Sequence, residues 1–219
     1  MKEVMAILTD MRHILGGNYM TTSMIKKETS VSNRLLSAAR ELLLTKKSHE
    51  FKISDIKSRA HVGEGSFYRY FSSPYEIIRT LRSIEEEKCM DALLQYFCRT
   101  SAGTFSQKIE RMAVYLVQYI RSSYDFQRIV GENVSWFDCF SKMIDPDSEE
   151  QEQFNKELYE YAALIGMSEE QARMNVHFLF TTAIRYSNSA LNREIPLTIE
   201  ETRIYIRETA RRLFPEHNM

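Results

Sequence analysis

The stretch that decides the fold is Ile53–Phe71, which reads ISDIKSRAHVGEGSFYRYF. Its first part has apolar residues at helical spacing, namely Ile53, Ile56 and Ala60. Such spacing predicts a helix with one buried face. His61-Val62-Gly63 then breaks the pattern, and Gly65 breaks it again. The two glycines let the backbone turn tightly, and a second short helix is expected in the remainder of the stretch. The sequence therefore predicts two short helices joined by a tight turn.

The second of these helices is expected to turn polar and aromatic side chains outward. Phe67 and Phe71 lie four residues apart, which places both rings on one helix face. Tyr68, Arg69 and Ser72 then point away from that face. Hydroxyl, phenol and guanidinium groups on an exposed helix are suited to the phosphates and base edges of DNA. The pattern is typical of a helix-turn-helix motif that binds DNA.

The sequence around this motif resembles the DNA-binding domain of the TetR family of transcriptional regulators. Three segments carry the resemblance in the family's order and spacing: LLSAARELL at 35–43, the pattern DI...A.V..G..Y.YF at 55–71, and PYEI at 74–77. The resemblance implies an all-α protein. It would have an N-terminal three-helix helix-turn-helix DNA-binding domain, followed by a larger helical domain for ligand binding and dimerisation.

The expected division of the chain is an N-terminal extension at 1–30, the DNA-binding domain at 31–75, and the effector-binding and dimerisation domain at 76–219. Within the extension, the apolar spacing before Gly16 fits a short amphipathic helix, and 18–30 reads as a polar, flexible arm. TetR-like proteins usually begin only a few residues before their first helix. We therefore expect the biological start at Met20 or Met24, so that residues 1–19 are not native.

Capping signals divide the rest of the chain into helices, and no segment has the alternation of a strand. The first domain helix is expected from Ser32 or Asn33 to about Lys47. A long helix opened by Ser73 and Pro74 is expected to continue to Arg99. Further helices are expected at 104–122, 148–165, 168–191 and 198–214, with an irregular stretch at 125–144. The total is about nine helices after the extension.

Charge is divided unevenly along the chain, although the net charge is only −1. Residues 26–82 contain 12 Lys and Arg against 6 Asp and Glu, whereas residues 83–219 contain 15 against 22. The segment 26–82 is therefore basic and the segment 83–219 is acidic. This division predicts a polyanion-binding surface at one end of the molecule. This end coincides with the helix-turn-helix motif.

The resemblance implies which residues contact DNA. Ser66 and Tyr68 match positions that usually hold phosphates, and Arg69 falls where a base edge or a phosphate is in reach. The expected set is Lys52, Gly63, Glu64, Gly65, Ser66, Tyr68, Arg69, Ser72 and Tyr75. Two members depart from the family pattern. Glu64 repels phosphate, although it can accept from cytosine N4, and Lys52 replaces the usual threonine cap of its helix.

The second domain is expected to form a homodimer and to hold a small-molecule effector. By resemblance, the last two helices form the dimer interface through His177, Phe178, Thr181, Ile184, Ile206 and Leu213. Packing of the monomer core is the alternative for some of these residues. The expected effector pocket contains Tyr115, Tyr119, Trp136, Asp138 and Phe140, because polar tips in an apolar wall orient a ligand. Core packing is the alternative here too.

Several classes of protein are excluded or disfavoured. The sequence has no GxSxG, Walker or HExxH motif, so an enzyme is not expected. Cys89, Cys98 and Cys139 are widely spaced without ligand spacing, which fits reduced thiols and no metal or cofactor. The sequence also has no apolar run long enough to span a bilayer and no secretory signal. A cytoplasmic protein without membrane partners is expected.

These observations predict a ligand-responsive homodimeric repressor whose partner is a double-stranded DNA operator. Two alternatives stay open. The first is a TetR-like protein that lacks sequence-specific DNA binding and acts through protein partners. The reason to consider it is Glu64, whose carboxylate repels phosphate. The second is a helical protein that binds small molecules without any response to DNA.

Overall fold

The computed structural model of the protein describes residues 22–45, 52–100, 102–131 and 148–216, with side chains from residue 31 onward except that of Glu64. These ranges contain eight α-helices, one 3-10 turn and no strand, so the prediction of an all-α fold is confirmed. The helices are α1 Thr22–Thr45, α2 Ile53–Ala60, α3 Pro74–Arg99, α4 Phe105–Ser122, α5 Tyr124–Ile129, α6 Glu149–Leu164, α7 Glu169–Leu191 and α8 Ile199–Leu213.

Hydroxyl caps set the starts of six of these helices. In each, the cap oxygen accepts from the backbone N–H three residues on; the caps are Ser73, Thr104, Ser123, Ser148, Ser168 and Thr198. Such a cap satisfies one of the amide groups that have no partner inside the helix. The starts of α3, α4, α6, α7 and α8 therefore agree with the sequence prediction.

The first helix is longer than predicted. The flexible arm expected up to residue 30 is wrong over 22–30, because α1 runs without interruption from Thr22 to Thr45. The segment from 22 to 30 contains no Gly or Pro, and once a helix is nucleated each further residue adds a hydrogen bond. The polar composition of this segment favours an arm, but polar residues other than Gly and Pro also form helices. The predicted end at Lys47 lies outside the described residues, as do residues 1–21.

Buried apolar side chains form two clusters, one in each half of the chain. The N-terminal cluster joins α1, α2, the turn after α2 and the start of α3, with Leu35, Ile56 and Phe67 fully buried. The C-terminal cluster joins the second half of α3 to α4, α5, α6, α7 and α8. Helix α4 lies at its centre, because it packs against α3, α5, α6, α7 and α8.

Helix α5 connects the two clusters. Its Phe126 is buried in the C-terminal cluster, and its Ile129 is buried in the N-terminal cluster. The Tyr124 hydroxyl at the start of α5 donates to the Leu44 carbonyl oxygen at 3.1 Å. The side-chain amide of Asn188 in α7 donates to the Gly131 carbonyl oxygen at 3.0 Å, just after α5. This short helix therefore contacts elements of both halves.

Charged side chains reinforce the same junction. Arg40 of α1 forms ion pairs with Asp125 of α5 and, at 3.2 Å, with Glu85 of α3. Glu85 is almost fully buried and also pairs with Lys88 at 2.8 Å. A buried carboxylate needs such partners, because its desolvation is otherwise costly. We call Arg40, Glu85, Lys88 and Asp125 the junction cluster.

The cysteines within the described ranges are free thiols. Cys89 is buried and Cys98 is half-buried, whereas Cys139 lies outside the described residues. Burial raises the pKa of the Cys98 thiol above its ordinary value. In the same ranges, none of the helices combines the length and the apolar character that a membrane crossing needs.

Candidate DNA-binding site

The residue that precedes helix α2 in the capping position is Lys52, whose side chain has no acceptor to cap the helix. The Asp55 carboxylate accepts from the Lys52 N–H at 3.2 Å. This contact is the carboxylate half of a capping box, and the acidic group also favours the positive end of the helix. Asp55 thus provides an acceptor for the backbone N–H of Lys52. It does not replace the hydroxyl contact that the family's usual threonine would make.

The turn after α2 is made by His61 and not by the glycines. His61 has φ 52° and lies in the left-handed region. The N–H groups of His61 and Val62 donate hydrogen bonds to carbonyl oxygens of the last turn of α2. Gly63 has φ −68°, and neither Gly63 nor Gly65 has positive φ. The sequence predicts a tight turn that Gly63 and Gly65 permit, and the left-handed residue of this turn is His61. His61 is one of the residue types that tolerates this conformation.

The recognition segment is shorter in regular structure than predicted. A 3-10 turn covers Glu64–Ser66, and hydrogen-bonded turns follow to Tyr70 in place of the α-helix expected up to Phe71. Its bonds include Ser66 N–H to the Gly63 oxygen and Phe71 N–H to the Phe67 oxygen, both at 3.0 Å. A segment this short forms few helical bonds, and glycine opposes helix. The side chain of Glu64 lies outside the described part of the structure.

The predicted division of inward and outward rings is confirmed by burial. Phe67 is fully buried and Phe71 almost so, and their ring centroids lie 6.0 Å apart. Tyr68 is 60% exposed, with its ring edge-to-face against Phe67 at 5.5 Å. Arg69 is also exposed. The two buried rings therefore anchor the turn to the N-terminal cluster while Tyr68 and Arg69 face solvent.

Most of the other expected DNA contacts are accessible. Lys52, Gly63 and Gly65 are exposed, Ser66 is half-buried, and Tyr75 is 82% exposed at the start of α3. Lys52, the turn and Tyr75 thus lie on consecutive elements of one small domain. This placement presents the hydroxyl, phenol and cationic groups that phosphates require.

Ser72 is exposed, but its hydrogen-bonding groups are already used within the chain. Its hydroxyl donates to the Glu76 carboxylate at 2.6 Å, and its backbone N–H donates to the same oxygen. These bonds hold the pKa of the Glu76 carboxyl below its ordinary value. Ser72 therefore links the recognition segment to α3, and a phosphate would compete with Glu76 for its hydroxyl.

Sequence reasoning missed three exposed arginines of this region. Arg79 follows Tyr75 by four residues, which places both on one face of α3. Arg34 is exposed on α1. Arg59 is exposed as well, although it forms an ion pair with Glu41 at 2.7 Å. Helical spacing from Tyr75 could have identified Arg79 as a candidate for phosphate binding, whereas the sequence held no comparable signal for Arg34.

The expected effector residues fall into two groups. Tyr115 and Tyr119 lie one turn apart on α4: Tyr115 stacks on Tyr96 of α3, with ring centroids 4.4 Å apart, and Tyr119 meets Phe126 edge-to-face. Burial, together with the nearby Cys89 and Glu85, raises the pKa of Tyr119 to about 12. The remaining members lie outside the described residues, namely Trp136, Asp138 and Phe140.

The expected dimer residues also separate by exposure. Phe178 is 56% exposed and His177 and Thr181 are half-buried, so all three are accessible on α7. Ile184 and Ile206 are instead buried in the C-terminal cluster, where they fill the monomer core. Leu213 is half-buried and packs against that cluster. Helical spacing identifies an apolar face, but a helix with two apolar sides leaves open which one is exposed.

Two exposed apolar residues on α7 were not predicted. Met174 precedes Phe178 by four residues and Tyr186 follows it by eight, and both are about half exposed. Met174 and Phe178 share a face by their spacing. Exposed apolar residues at helical spacing are typical of an interface between proteins.

The fold and the site define an all-helical protein with an N-terminal helix-turn-helix domain. Residues 35–81 match the family model described as bacterial regulatory proteins, tetR family. The N-terminal domain of this chain is therefore a tetR-family domain, and the resemblance found in the sequence is confirmed.

Solved structures share the fold over most of the chain. A TetR transcriptional regulator from Rhodococcus sp. RHA1 is 15% identical and aligns over 88% of this chain and 99% of its own, with a TM-score of 0.51. A putative TetR-family regulator from Syntrophomonas wolfei is 15% identical and aligns over 87% and 98%, with a TM-score of 0.56. At such identities the likeness shows the fold alone. No curated protein matches this chain.

Proposed function

We propose that this protein is a cytoplasmic transcriptional repressor that binds a double-stranded DNA operator as a homodimer and is released by a small molecule. One observation carries the DNA-binding part: Tyr68 and Arg69 are exposed on a segment that Phe67 and Phe71 fix in the core. The tetR-family match and the excess of Lys and Arg in 26–82 support it.

Each expected DNA contact has a chemical role. The Arg69 guanidinium can donate to the two acceptors of guanine in the major groove, or to a phosphate. The phenol of Tyr68 and the cations of Lys52 and Arg79 suit phosphate oxygens. Phosphate contacts fix the register of the protein on the duplex, whereas a base contact supplies specificity.

Replacing Arg69 by alanine tests the assignment. We expect operator affinity to fall by about 1–3 kcal/mol, because either a base contact or a phosphate contact is lost. The measurement is fluorescence anisotropy with the DNA upstream of the gene, at about 50 mM and about 200 mM salt. Arg99→Ala is the matched control, since Arg99 is an exposed arginine at the opposite end of α3.

Two comparisons in this experiment distinguish the candidate functions: the affinities of the two variants, and the binding of the unmodified protein at low salt. Equal affinities for Arg69→Ala and Arg99→Ala would contradict the role of the recognition segment. If the unmodified protein fails to bind DNA even at low salt, where phosphate contacts are strongest, the partner-binding alternative is favoured.

A homodimer follows from the size of the recognition segment. One short segment reads few base pairs, so two copies on half-sites one helical repeat apart are needed for specificity. The exposed face of α7, defined here by Met174, Phe178 and Thr181, is the surface we assign to the partner. Burying two copies of this apolar face is favourable.

Replacing Phe178 by aspartate is expected to yield a monomer, because a carboxylate buried in an apolar interface is left without a partner. The molar mass is measured by light scattering after gel filtration, over a range of protein concentrations. Tyr75→Asp is the control, since Tyr75 is more exposed but lies on the DNA-binding domain. A Phe178→Asp protein of unchanged mass would contradict the α7 interface.

The effector response needs a path from the C-terminal cluster to the recognition segment. Helix α5 contacts both clusters through Phe126 and Ile129, and the junction cluster ties it to α1. A ligand that binds one arrangement of these helices more tightly shifts the population toward that arrangement. The spacing of the two recognition segments in the dimer would change accordingly, and operator affinity with it.

A further inference from the structure

We propose that a groove on the outer side of α3, α4 and α8 binds a planar aromatic anion. The groove has a volume of about 280 Å³ and is lined in part by Tyr96, Glu110, Arg111, Tyr115, Arg203 and Arg207. This inference rests on the effector response proposed above, and it gives that response a location and a ligand class. Tyr115 belongs to the expected effector residues, whereas the arginines do not.

The floor of the groove is aromatic. The rings of Tyr96 and Tyr115 are parallel within 6° and their centroids lie 4.4 Å apart. Both residues are half-buried, so part of each side chain stays accessible. A flat ring can add to such a pair by offset or edge-to-face stacking. The floor therefore favours a planar aromatic molecule over a flexible aliphatic one.

The wall of the groove is cationic. Arg111, Arg203 and Arg207 line it, against the single carboxylate of Glu110. Glu110 is engaged outside the groove too, because Arg211 donates to both of its oxygens at 2.9 and 3.1 Å. Its contact with Arg207 is longer, at 3.5 Å. The lining therefore keeps an excess of positive charge, which favours an anion.

Arg203 has a donor without a partner among the described residues. Its Nη2 pairs with Glu200 at 2.8 Å, while its Nε is buried and has no hydrogen-bond partner among the described residues. A buried donor without an acceptor is costly, so an acceptor supplied by a ligand is favoured. A carboxylate can accept from two nitrogens of one guanidinium. Arg203 is therefore the residue that we assign to the anionic group.

The size of the groove limits the ligand. Its volume lies just below the range of about 300–1,000 Å³ that is usual for drug-sized ligands, so one or two fused rings fit. A ligand of about 13 heavy atoms with the efficiency typical of drug-sized molecules has a Kd on the order of 1 mM. Naphthoate has this size and class.

The test is a titration of the full chain with naphthoate, followed by protein NMR. We expect saturable shifts for naphthoate and binding at least about tenfold weaker for the neutral naphthamide, because the charged hydrogen bond is lost. Arg203→Gln is expected to weaken naphthoate by a similar factor. Arg212→Gln is the matched control, since Arg212 lies on the same helix, is exposed and does not line the groove.

Tyr115→Leu is the second variant, and it too is expected to weaken naphthoate while circular dichroism confirms that each variant is folded. Equal affinity for naphthoate and naphthamide, or equal weakening by Arg203→Gln and Arg212→Gln, would overturn the site. Operator binding is measured separately on ligand-free protein. An absence of DNA binding there would refute the proposed function without altering the naphthoate result.

Discussion

Replacing Phe67 by alanine is expected to lower the free energy of unfolding by about 3–5 kcal/mol. The ring is fully buried in the N-terminal cluster together with Leu35 and Ile56. Its removal loses the transfer free energy of the ring and leaves a cavity that the neighbouring helices fill only in part. The measurement is chemical denaturation followed by circular dichroism, with the midpoint and slope fitted separately.

Tyr68→Ala is the matched control for this experiment, because the two residues are adjacent and differ mainly in exposure. Tyr68 is 60% exposed, so we expect its replacement to change the free energy of unfolding by no more than about 0.5 kcal/mol. Operator affinity should respond in both variants. It falls in Phe67→Ala because the segment loses its anchor, and in Tyr68→Ala because a phosphate contact is lost. Equal stability losses would contradict the division of inward and outward rings.

That division is one of the features that the sequence alone could predict, because it depends only on local spacing. Phe67 and Phe71 lie four residues apart, and a helical or turn-like backbone then places them together. The cap signals of α3, α4, α6, α7 and α8 are local in the same sense: a hydroxyl and the amide three residues on define the start of a helix. Features of this kind are encoded within a few residues.

Backbone conformation at the recognition turn was less predictable. Gly63 and Gly65 are the residues expected to let the backbone turn tightly, whereas the residue in the left-handed region is His61. The last turn of α2 accepts the returning N–H groups of His61 and Val62, and this requirement decides the position of the turn. The position at which a helix ends depends on small energy differences. Sequence composition does not resolve that position to within about one or two residues.

Long-range contacts could not be predicted from the sequence at all. Arg40 and Asp125 are separated by 85 positions, and neither stands out among the 59 charged residues of types Asp, Glu, Lys and Arg. The same holds for Arg203 and Tyr115, which line one groove although they are far apart in the sequence. Ile184 and Ile206 illustrate the converse limit, because an apolar residue on a helix between two surfaces fits either a core or an interface. Tertiary packing decides these cases.

Among the charged groups, we expect the junction cluster to contribute most to the free energy of unfolding. Glu85 has only 5% of its side chain exposed and depends on Arg40 and Lys88 for compensation. Arg40 holds α1, which carries the N-terminal cluster, against α3 and α5. Loss of one partner leaves the buried Glu85 carboxylate with too few cationic neighbours. The resulting loss of stability is expected to exceed the stabilisation that an exposed ion pair provides.

Replacing Arg40 by alanine is therefore expected to lower the free energy of unfolding by about 1–3 kcal/mol. A double-mutant cycle with Glu85→Gln should give a coupling energy in the upper part of the range of about 0.5–3 kcal/mol. The coupling should change little with salt, because buried pairs are weakly screened. The measurement is denaturant unfolding of the four proteins at low and high salt.

The Arg59–Glu41 pair is the matched control for this cycle, because it joins α2 to α1 with both side chains about half exposed. Exposed pairs contribute between about 0 and 1 kcal/mol and weaken with salt, so its cycle should give a smaller and salt-dependent coupling. Arg40→Ala should also alter operator affinity, since α1 then loses its ion pair with α5. Equal coupling in the two cycles would mean that Lys88 alone compensates Glu85, and that Arg40 does not hold the two halves of the molecule together.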